Sequence, residues 1–194
     1  LHYNSSRKTA EETAREIKSG GGSCSLFQCD FSDPEAVSSL IGRVTERFDD
    51  LSVLINNSSV FTRAGLSDTD PGLLQNHYNV HVRAPVILIR SFARTCGSGS
   101  VINLIDTMIT DNDTPFFSYS LSKKSLADVT KLAAAELGPA IRVNGICPGL
   151  ILPSEEWPPD VFKRMSERLP LKRHGSIEHI TATVTFLLQN DFIT

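Results

Sequence analysis

Hydrophobic residues in this chain occur in short continuous runs that are separated by longer amphipathic segments. Apolar side chains occupy successive positions at residues 53–55 and again at residues 101–105, with one interruption at Asn103. A strand that is apolar on both faces is typical of a parallel sheet covered by helices on both sides. Because strand-like and helix-like segments alternate along the chain, we predict an α/β fold: a doubly wound parallel sheet with helices on both faces.

Two helices are well marked in the sequence. Ser32 is predicted to cap the first, because it is followed by Asp33, then Pro34 in the first turn and a capping-box Glu35. The second is predicted over residues 119–137, where apolar residues recur at helical spacing. The first helix would connect two neighbouring strands of the sheet.

Composition limits the classes of function. The chain has 194 residues, 40% hydrophobic and 21% charged, with a formal net charge of −3. These values are typical of one globular domain, predicted to span residues 1–194, and without a basic cluster we expect no nucleic-acid partner. No apolar run approaches the roughly eighteen residues of a membrane span. The four cysteines lack Cys-x-x-Cys spacing, so we predict no metal site and favour a reducing, cytoplasmic setting.

Residues 103–125 carry the most informative polar side chains. Tyr119 and Lys123 are four positions apart on the predicted helix and so share one face, and Asp106 lies thirteen positions before the tyrosine. A nearby ammonium group favours the ionised form of a phenol, whose ordinary pKa is about 10, so a partly buried pair would bring Tyr119 towards proton transfer at neutral pH. The same spacing also occurs by chance on solvated helix faces, so the pair alone does not identify a catalytic site.

The wider context of this pair resembles the short-chain dehydrogenase/reductase family. Five features match in chain order. Asp30 resembles the aspartate that contacts the adenine, and Asn56-Asn57-Ser58 resembles the Asn-Asn-Ala-Gly motif. Residues 101–106 resemble the strand that delivers a catalytic serine, Tyr119-x-x-x-Lys123 resembles the active-site motif, and Arg142-Val143-Asn144 with Pro148-Gly149 resembles the strand and loop beside the nicotinamide. The resemblance covers nearly the whole chain. It implies a Rossmann-like domain with Asp106, Tyr119 and Lys123 as the catalytic residues.

The same resemblance implies a dinucleotide cofactor. Its binding residues would be Asn4, Ser5, Ser6, Arg7, Asp30, Phe31, Asn57, Ser58, Tyr119, Lys123, Pro148 and Gly149. Residues 2–7 contain no acid for a ribose 2′-hydroxyl, and neutral donors with an arginine suit a 2′-phosphate, so NADPH is favoured over NADH. The glycine-rich turn of the dinucleotide fingerprint is missing, and the chain starts without methionine. We therefore expect the first βα unit, roughly 30 residues, and a C-terminal strand to lie outside this sequence.

Asp106 occupies the position where the family normally has a serine. A carboxylate is a poor partner for a developing alkoxide, because two negative charges would face each other, but it suits a substrate with N–H groups. This arrangement resembles the pteridine reductases of the family, including dihydropteridine and dihydromonapterin reductases. The substrate-binding residues implied by this resemblance are Ser59, Phe61, Asp106, Tyr119, Leu150 and Trp157.

Four individual positions can be interpreted further. Ser59 would touch the pterin, and Phe61 would stack on its ring, unless Phe61 is an ordinary core or loop aromatic. Trp157 would line or cover the substrate pocket, or else serve as a packing anchor. His81 falls where the family has a fourth catalytic residue, an asparagine four positions before a proline. It would bind the water that links Lys123 to solvent, or else be a packed structural histidine.

The resemblance therefore predicts NADPH-dependent reduction of a pterin or dihydropterin C=N bond. The partner would be a pterin-like small molecule, and the assembly a homo-tetramer, as is common in the family. Two alternatives remain open: a general carbonyl or imine reductase in which Asp106 is merely tolerated, and an NADP-binding regulatory protein without turnover. The intact Tyr119 and Lys123 count against the second alternative.

Overall fold

The computed structural model describes residues 1–112, 114–153 and 158–194. The strands are β1 (His2–Tyr3), β2 (Phe27–Gln28), β3 (Val53–Asn56), β4 (Gly99–Leu104) and β5 (Ile141–Ile146). The helices are α1 (Arg7–Ser19), α2 (Pro34–Thr45), α3 (Pro71–Tyr78), α4 (Ala84–Cys96), α5 (Phe117–Leu137), α6 (Pro159–Arg168) and α7 (Ile177–Gln189). Short 3₁₀ segments cover Leu66–Asp68 and Thr107–Thr110, and a π-helical turn covers Asn79–Arg83.

All strand pairs are parallel, which confirms the predicted α/β class. β1 pairs with β2, and β3, β4 and β5 pair in that order as a second group, with Val101 opposite Val143. A cavity of about 430 Å³ is lined by residues from both groups of strands. Helices connect consecutive strands, so the carboxyl ends of the strands gather at one edge of the sheet.

Apolar side chains on alternate positions of β4 pack into two different cores. Val101 lies in a cluster with residues of α2 and α4, including the fully buried Phe92. Its neighbour Ile102 points to the opposite face and packs with Leu187 of α7. This burial on both faces explains why the hydrophobic run of β4 is nearly continuous. Within the described ranges, no helix combines the length and the hydropathy needed to cross a membrane.

The start of α2 differs by one residue from the prediction. Asp33, not Ser32, is the N-cap, because its carboxylate accepts hydrogen bonds from the backbone N–H groups of Glu35 and Ala36. Pro34 takes the first helical position, where its missing N–H is not needed. The type and position of the helix are as predicted, and only the capping side chain changes.

A π-helical turn joins α3 to α4 and contains His81. The backbone N–H of Ala84 donates to the carbonyl of Asn79, five residues earlier. Pro85 has no N–H to donate to the carbonyl of His81, so the helical ladder is already interrupted there. The wider turn places the His81 side chain in the interior, where it is 1% exposed.

Candidate active site

The carboxyl end of β4 and the first turns of α5 bring the three predicted catalytic residues together. The Tyr119 hydroxyl donates to Asp106 Oδ2 at 2.6 Å, and Asp106 Oδ1 accepts from the backbone N–H of Met108 at 2.8 Å. Lys123 Nζ donates to the carbonyl of Leu104 at 2.8 Å. Tyr119 is 5% exposed and Lys123 3% exposed, whereas Asp106 is half-buried. The site is therefore a buried phenol and ammonium beside a carboxylate that solvent can reach.

The protonation of this site differs from the sequence-based prediction. Burial raises the pKa of Tyr119, and the hydrogen bond to the Asp106 carboxylate and its charge raise it further. The ammonium of Lys123 lies 5.8 Å from the centre of the tyrosine ring. The prediction that Lys123 brings the pKa of Tyr119 towards neutrality is thus wrong in this structure, and Tyr119 is a protonated phenol at neutral pH. A protonated phenol is the form that can act as an acid.

Lys123 titrates closer to neutrality than an ordinary lysine. Burial lowers its pKa to about 8, although the negative charge of Asp106 and the nearby Cys147 act in the opposite direction. The group is thus mostly charged at neutral pH but loses its proton just above it. A buried ammonium at this distance from the phenol stabilises negative charge that develops there.

Ser59 and His81 form a hydrogen-bonded network next to the phenol. The Ser59 hydroxyl lies 3.0 Å from His81 Nε2, and the backbone N–H of Val60 donates to the same nitrogen at 3.2 Å. His81 Nδ1 lies 2.8 Å from the hydroxyl of Ser122. Both ring nitrogens are thus engaged by protein groups, which sequence reasoning did not foresee because Ser122 is one of many serines in the chain.

Phe61, a predicted substrate-binding residue, lies beside the phenol. Its ring meets the Tyr119 ring edge-on, with the ring centres 4.7 Å apart, and stacks on Phe116 with the centres 4.5 Å apart. Phe116 therefore covers one face of the Phe61 ring.

Most of the predicted cofactor-binding residues that follow β1, β2 and β3 line one cavity of about 390 Å³. They are Asn4, Ser5, Ser6, Asp30, Phe31 and Ser58, and Ser59 lines it as well. Arg7 is on the exposed side of α1, where its guanidinium pairs with Glu11 at 2.8 Å. Asn57 lines the neighbouring cavity between the two groups of strands.

His2 is a cavity residue that was not predicted. Its ring stacks on Phe31 with the centres 4.3 Å apart, its Nε2 donates to the carbonyl of Cys29, and its Nδ1 lies 3.3 Å from the Ser58 hydroxyl. It thereby ties the ends of β1, β2 and β3 together at the cavity wall. The sequence offered only its position at the end of a strand as a signal.

The loop after β5 contributes through its backbone. The carbonyl of Pro148 accepts a hydrogen bond from the backbone N–H of Thr107 at 3.2 Å, which places this loop next to Asp106. Gly149 is exposed, and the carbonyl of Leu150 accepts from the N–H of Gly175 at 2.9 Å. Trp157, the remaining predicted substrate residue, lies outside the described residues.

The parallel fold and the Asp106, Tyr119 and Lys123 site define a dinucleotide-dependent oxidoreductase as the class of protein. A family model described as enoyl-(acyl carrier protein) reductase matches residues 1–194. The chain belongs to this family, which is part of the short-chain dehydrogenases/reductases.

Solved structures and curated relatives agree with this assignment. The structure of FolM alternative dihydrofolate reductase 1 from Brucella suis, in complex with NADP, is 34% identical with a TM-score of 0.93, and the match covers 100% of this chain and 78% of that one. A mutant short-chain dehydrogenase/reductase from Serratia marcescens is 27% identical with a TM-score of 0.90, over 100% of this chain and 81% of that one. The 3-oxoacyl-(acyl-carrier-protein) reductase FabG of Staphylococcus aureus is 28% identical over an alignment of 199 residues that covers 96% of this chain and 78% of that protein.

Proposed function

We propose that this protein reduces a C=N bond of a pterin or dihydropterin with NADPH. The observation that carries the proposal is the Asp106 carboxylate hydrogen-bonded to the buried Tyr119 hydroxyl. A carboxylate accepts hydrogen bonds and repels a developing alkoxide, so it favours a heterocycle with N–H groups over a simple carbonyl. The similarity to a FolM alternative dihydrofolate reductase supports a substrate of the pterin or folate type.

The cavity at the strand ends is lined by neutral polar side chains after β1, whereas Arg7, the predicted partner of a 2′-phosphate, pairs with Glu11 on the exposed side of α1. Asn4, Ser5 and Ser6 line it with amide and hydroxyl groups, and no carboxylate occurs between His2 and Arg7. Neutral donors at this position suit a ribose 2′-phosphate, which favours NADPH. When bound, NADPH supplies the hydride.

Proton transfer is assigned to Tyr119. Its hydroxyl would donate the proton to the substrate nitrogen, because the raised pKa keeps the phenol protonated at neutral pH. The charge of Lys123 would stabilise the phenolate that forms, and Asp106 would hold the phenol and accept a substrate N–H. Ser59 and Phe61 would position the ring.

Replacement of the phenol tests this assignment. Tyr119→Phe is expected to lower the rate of NADPH oxidation with a dihydropterin by at least about 100-fold, since general acid catalysis contributes that much or more, while NADPH binding is retained. Tyr78→Phe is the matched control, because its hydroxyl lies 3.1 Å from that of Ser125 and is not assigned to the chemistry. Full activity of Tyr119→Phe would overturn the proposal.

A general carbonyl or imine reductase is the second candidate. The similarity to a 3-oxoacyl-(acyl-carrier-protein) reductase favours it. A substrate panel separates the two, because a general reductase should reduce simple ketones and should not be inhibited by a diaminopteridine.

The homo-tetramer is also a proposal. α4 and α5 present the exposed apolar side chains of Val86 and Leu132 next to each other around a cavity of about 440 Å³. A second copy of the chain would cover this face. Light scattering measures the mass directly, and a mass other than that of four chains at micromolar concentration would contradict the proposal.

A further inference from the structure

We infer that His81 is a positioning residue that holds the hydroxyl proton of Ser59, so that Ser59 and Asp106 both present hydrogen-bond acceptors to the substrate. The inference rests on the proposed function, because it explains how the site selects a heterocycle with N–H groups. His81 would act through Ser59 and would not itself touch the reacting atoms.

The hydrogen bonds of His81 define one tautomer. The N–H of Val60 can only donate, so His81 Nε2 must be the unprotonated, accepting nitrogen. The Ser122 hydroxyl donates to the backbone carbonyl of Tyr119 at 2.7 Å, so it accepts from His81 Nδ1, which must carry the proton. The directions of these bonds follow from an N–H group that can only donate, that of Val60, and a carbonyl that can only accept, that of Tyr119.

This tautomer determines the direction of the Ser59 hydroxyl. With Nε2 as an acceptor, Ser59 donates its only proton to His81, and the lone pairs of its oxygen remain available. The His81 ring that Ser59 contacts lies 5.5 Å from the Tyr119 ring, which places the Ser59 oxygen near the reacting end of the site. The Tyr119 proton in turn is directed at Asp106. A substrate N–H therefore meets two acceptors.

The surroundings of His81 keep the imidazole neutral. The Lys123 ammonium and His77 face it, the rings of His77 and Tyr119 lie 5.8 Å and 5.5 Å away, and His81 is 1% exposed. A proton on Nε2 would displace the Val60 N–H and reverse the Ser59 hydrogen bond. Burial, followed by the nearby Lys123 and His77, lowers the pKa of His81 to about 3, in agreement with this geometry.

The size of the imidazole matters as well. The ring connects Ser122 on α5 to Ser59 in the loop after β3, two positions that are 63 residues apart in the chain. An asparagine side chain ends where the imidazole Nδ1 lies, so it would reach Ser122 but not Ser59. A glutamine is long enough to accept from Ser59 through its carbonyl oxygen.

Nuclear magnetic resonance tests the tautomer directly. In protein labelled with ¹⁵N-histidine, the His81 resonances are expected to report a neutral ring protonated at Nδ1 throughout pH 5 to 8. The Nε2 resonance should shift in Ser59→Ala. A ring protonated at Nε2, or a charged ring in this range, would overturn the inference, whatever the substrate is.

A double-mutant cycle tests the action through Ser59. Ser59→Ala and His81→Phe are each expected to raise the KM for a dihydropterin about ten-fold, the value of one hydrogen bond, with a smaller effect on kcat. The double variant should be no worse than Ser59→Ala alone, and His81→Gln should restore most of the affinity. Additive effects of the two substitutions, or no rescue by glutamine, would refute positioning through Ser59.

The proposed function and the role of His81 can be disproved separately. If the wild-type protein does not reduce any dihydropterin, the proposed function is wrong, and the resonance measurement still decides the role of His81 towards Ser59. If the wild-type protein reduces a dihydropterin but the cycle is additive, the function stands and the inference is wrong.

Discussion

The neutral, buried imidazole of His81 makes the stability of this protein sensitive to acid. Its pKa is lowered from the ordinary 6.5 to about 3 in the folded protein, first by burial and then by the nearby Lys123 and His77. The unfolded chain therefore takes up a proton at this residue below pH 6.5, while the folded protein does not. By linkage, the contribution of His81 to stability is complete above pH 6.5 and is lost as the pH falls from 6.5 towards 3.

The size of this effect follows from the pKa difference. Each pH unit in this window lowers the free energy of unfolding by about 1.4 kcal/mol, because one pKa unit corresponds to that energy. From pH 7 to pH 5 the loss through His81 is about 2 kcal/mol. This loss of stability depends little on the pKa of His81 in the folded protein, as long as that pKa lies well below 5. The prediction therefore rests on the burial of the imidazole ring.

Urea unfolding followed by circular dichroism at pH 7 and pH 5 measures this loss. The variant His81→Gln has no titrating ring at this position. Its free energy of unfolding should therefore fall between pH 7 and pH 5 by about 2 kcal/mol less than that of the wild type. His174→Gln is the matched control, because His174 is an exposed histidine, and it should behave like the wild type. An equal pH dependence in the wild type and His81→Gln would refute the assignment of a neutral His81.

Three further predictions concern the active site and the core. Because burial lowers the pKa of Lys123 to about 8, kcat/KM should fall about ten-fold per pH unit above this value as the ammonium is lost, and a flat profile up to pH 10 would contradict the assignment. Asn103 is fully buried and is hydrogen-bonded to the side chains of Asn56 and Thr130. Asn103→Leu should therefore lower the free energy of unfolding by about 1–3 kcal/mol in urea titrations. An unchanged urea midpoint would argue against these hydrogen bonds. Phe92 is 0% exposed, so Phe92→Ala should lower the free energy of unfolding by about 3–5 kcal/mol in the same assay. The control is Phe192→Ala, at a residue that is 94% exposed, which should change stability by less than about 0.5 kcal/mol. Similar losses in both variants would contradict the described core.

Local sequence patterns predicted the main elements because these depend on neighbouring residues. The apolar run in β4 predicted a strand buried on both faces, and Val101 and Ile102 do pack into opposite cores. The stripe on residues 119–137 predicted α5, which ends at Leu137 as expected. The cap of α2 was misplaced by one residue, since serine and aspartate both cap helices and only the backbone geometry selected Asp33.

By itself, the sequence determined the order of strands and helices and the chemical groups that face the site. Residue spacing placed Tyr119 and Lys123 on one face of a helix and Asp106 at the end of a strand. Only the tertiary structure decided how these groups are protonated. The raised pKa of Tyr119 and the neutral ring of His81 depend on burial and on partners from other elements, such as Ser122 and Ser59. Periodicity is a property of adjacent residues, whereas desolvation and hydrogen-bond direction arise only when distant segments pack together.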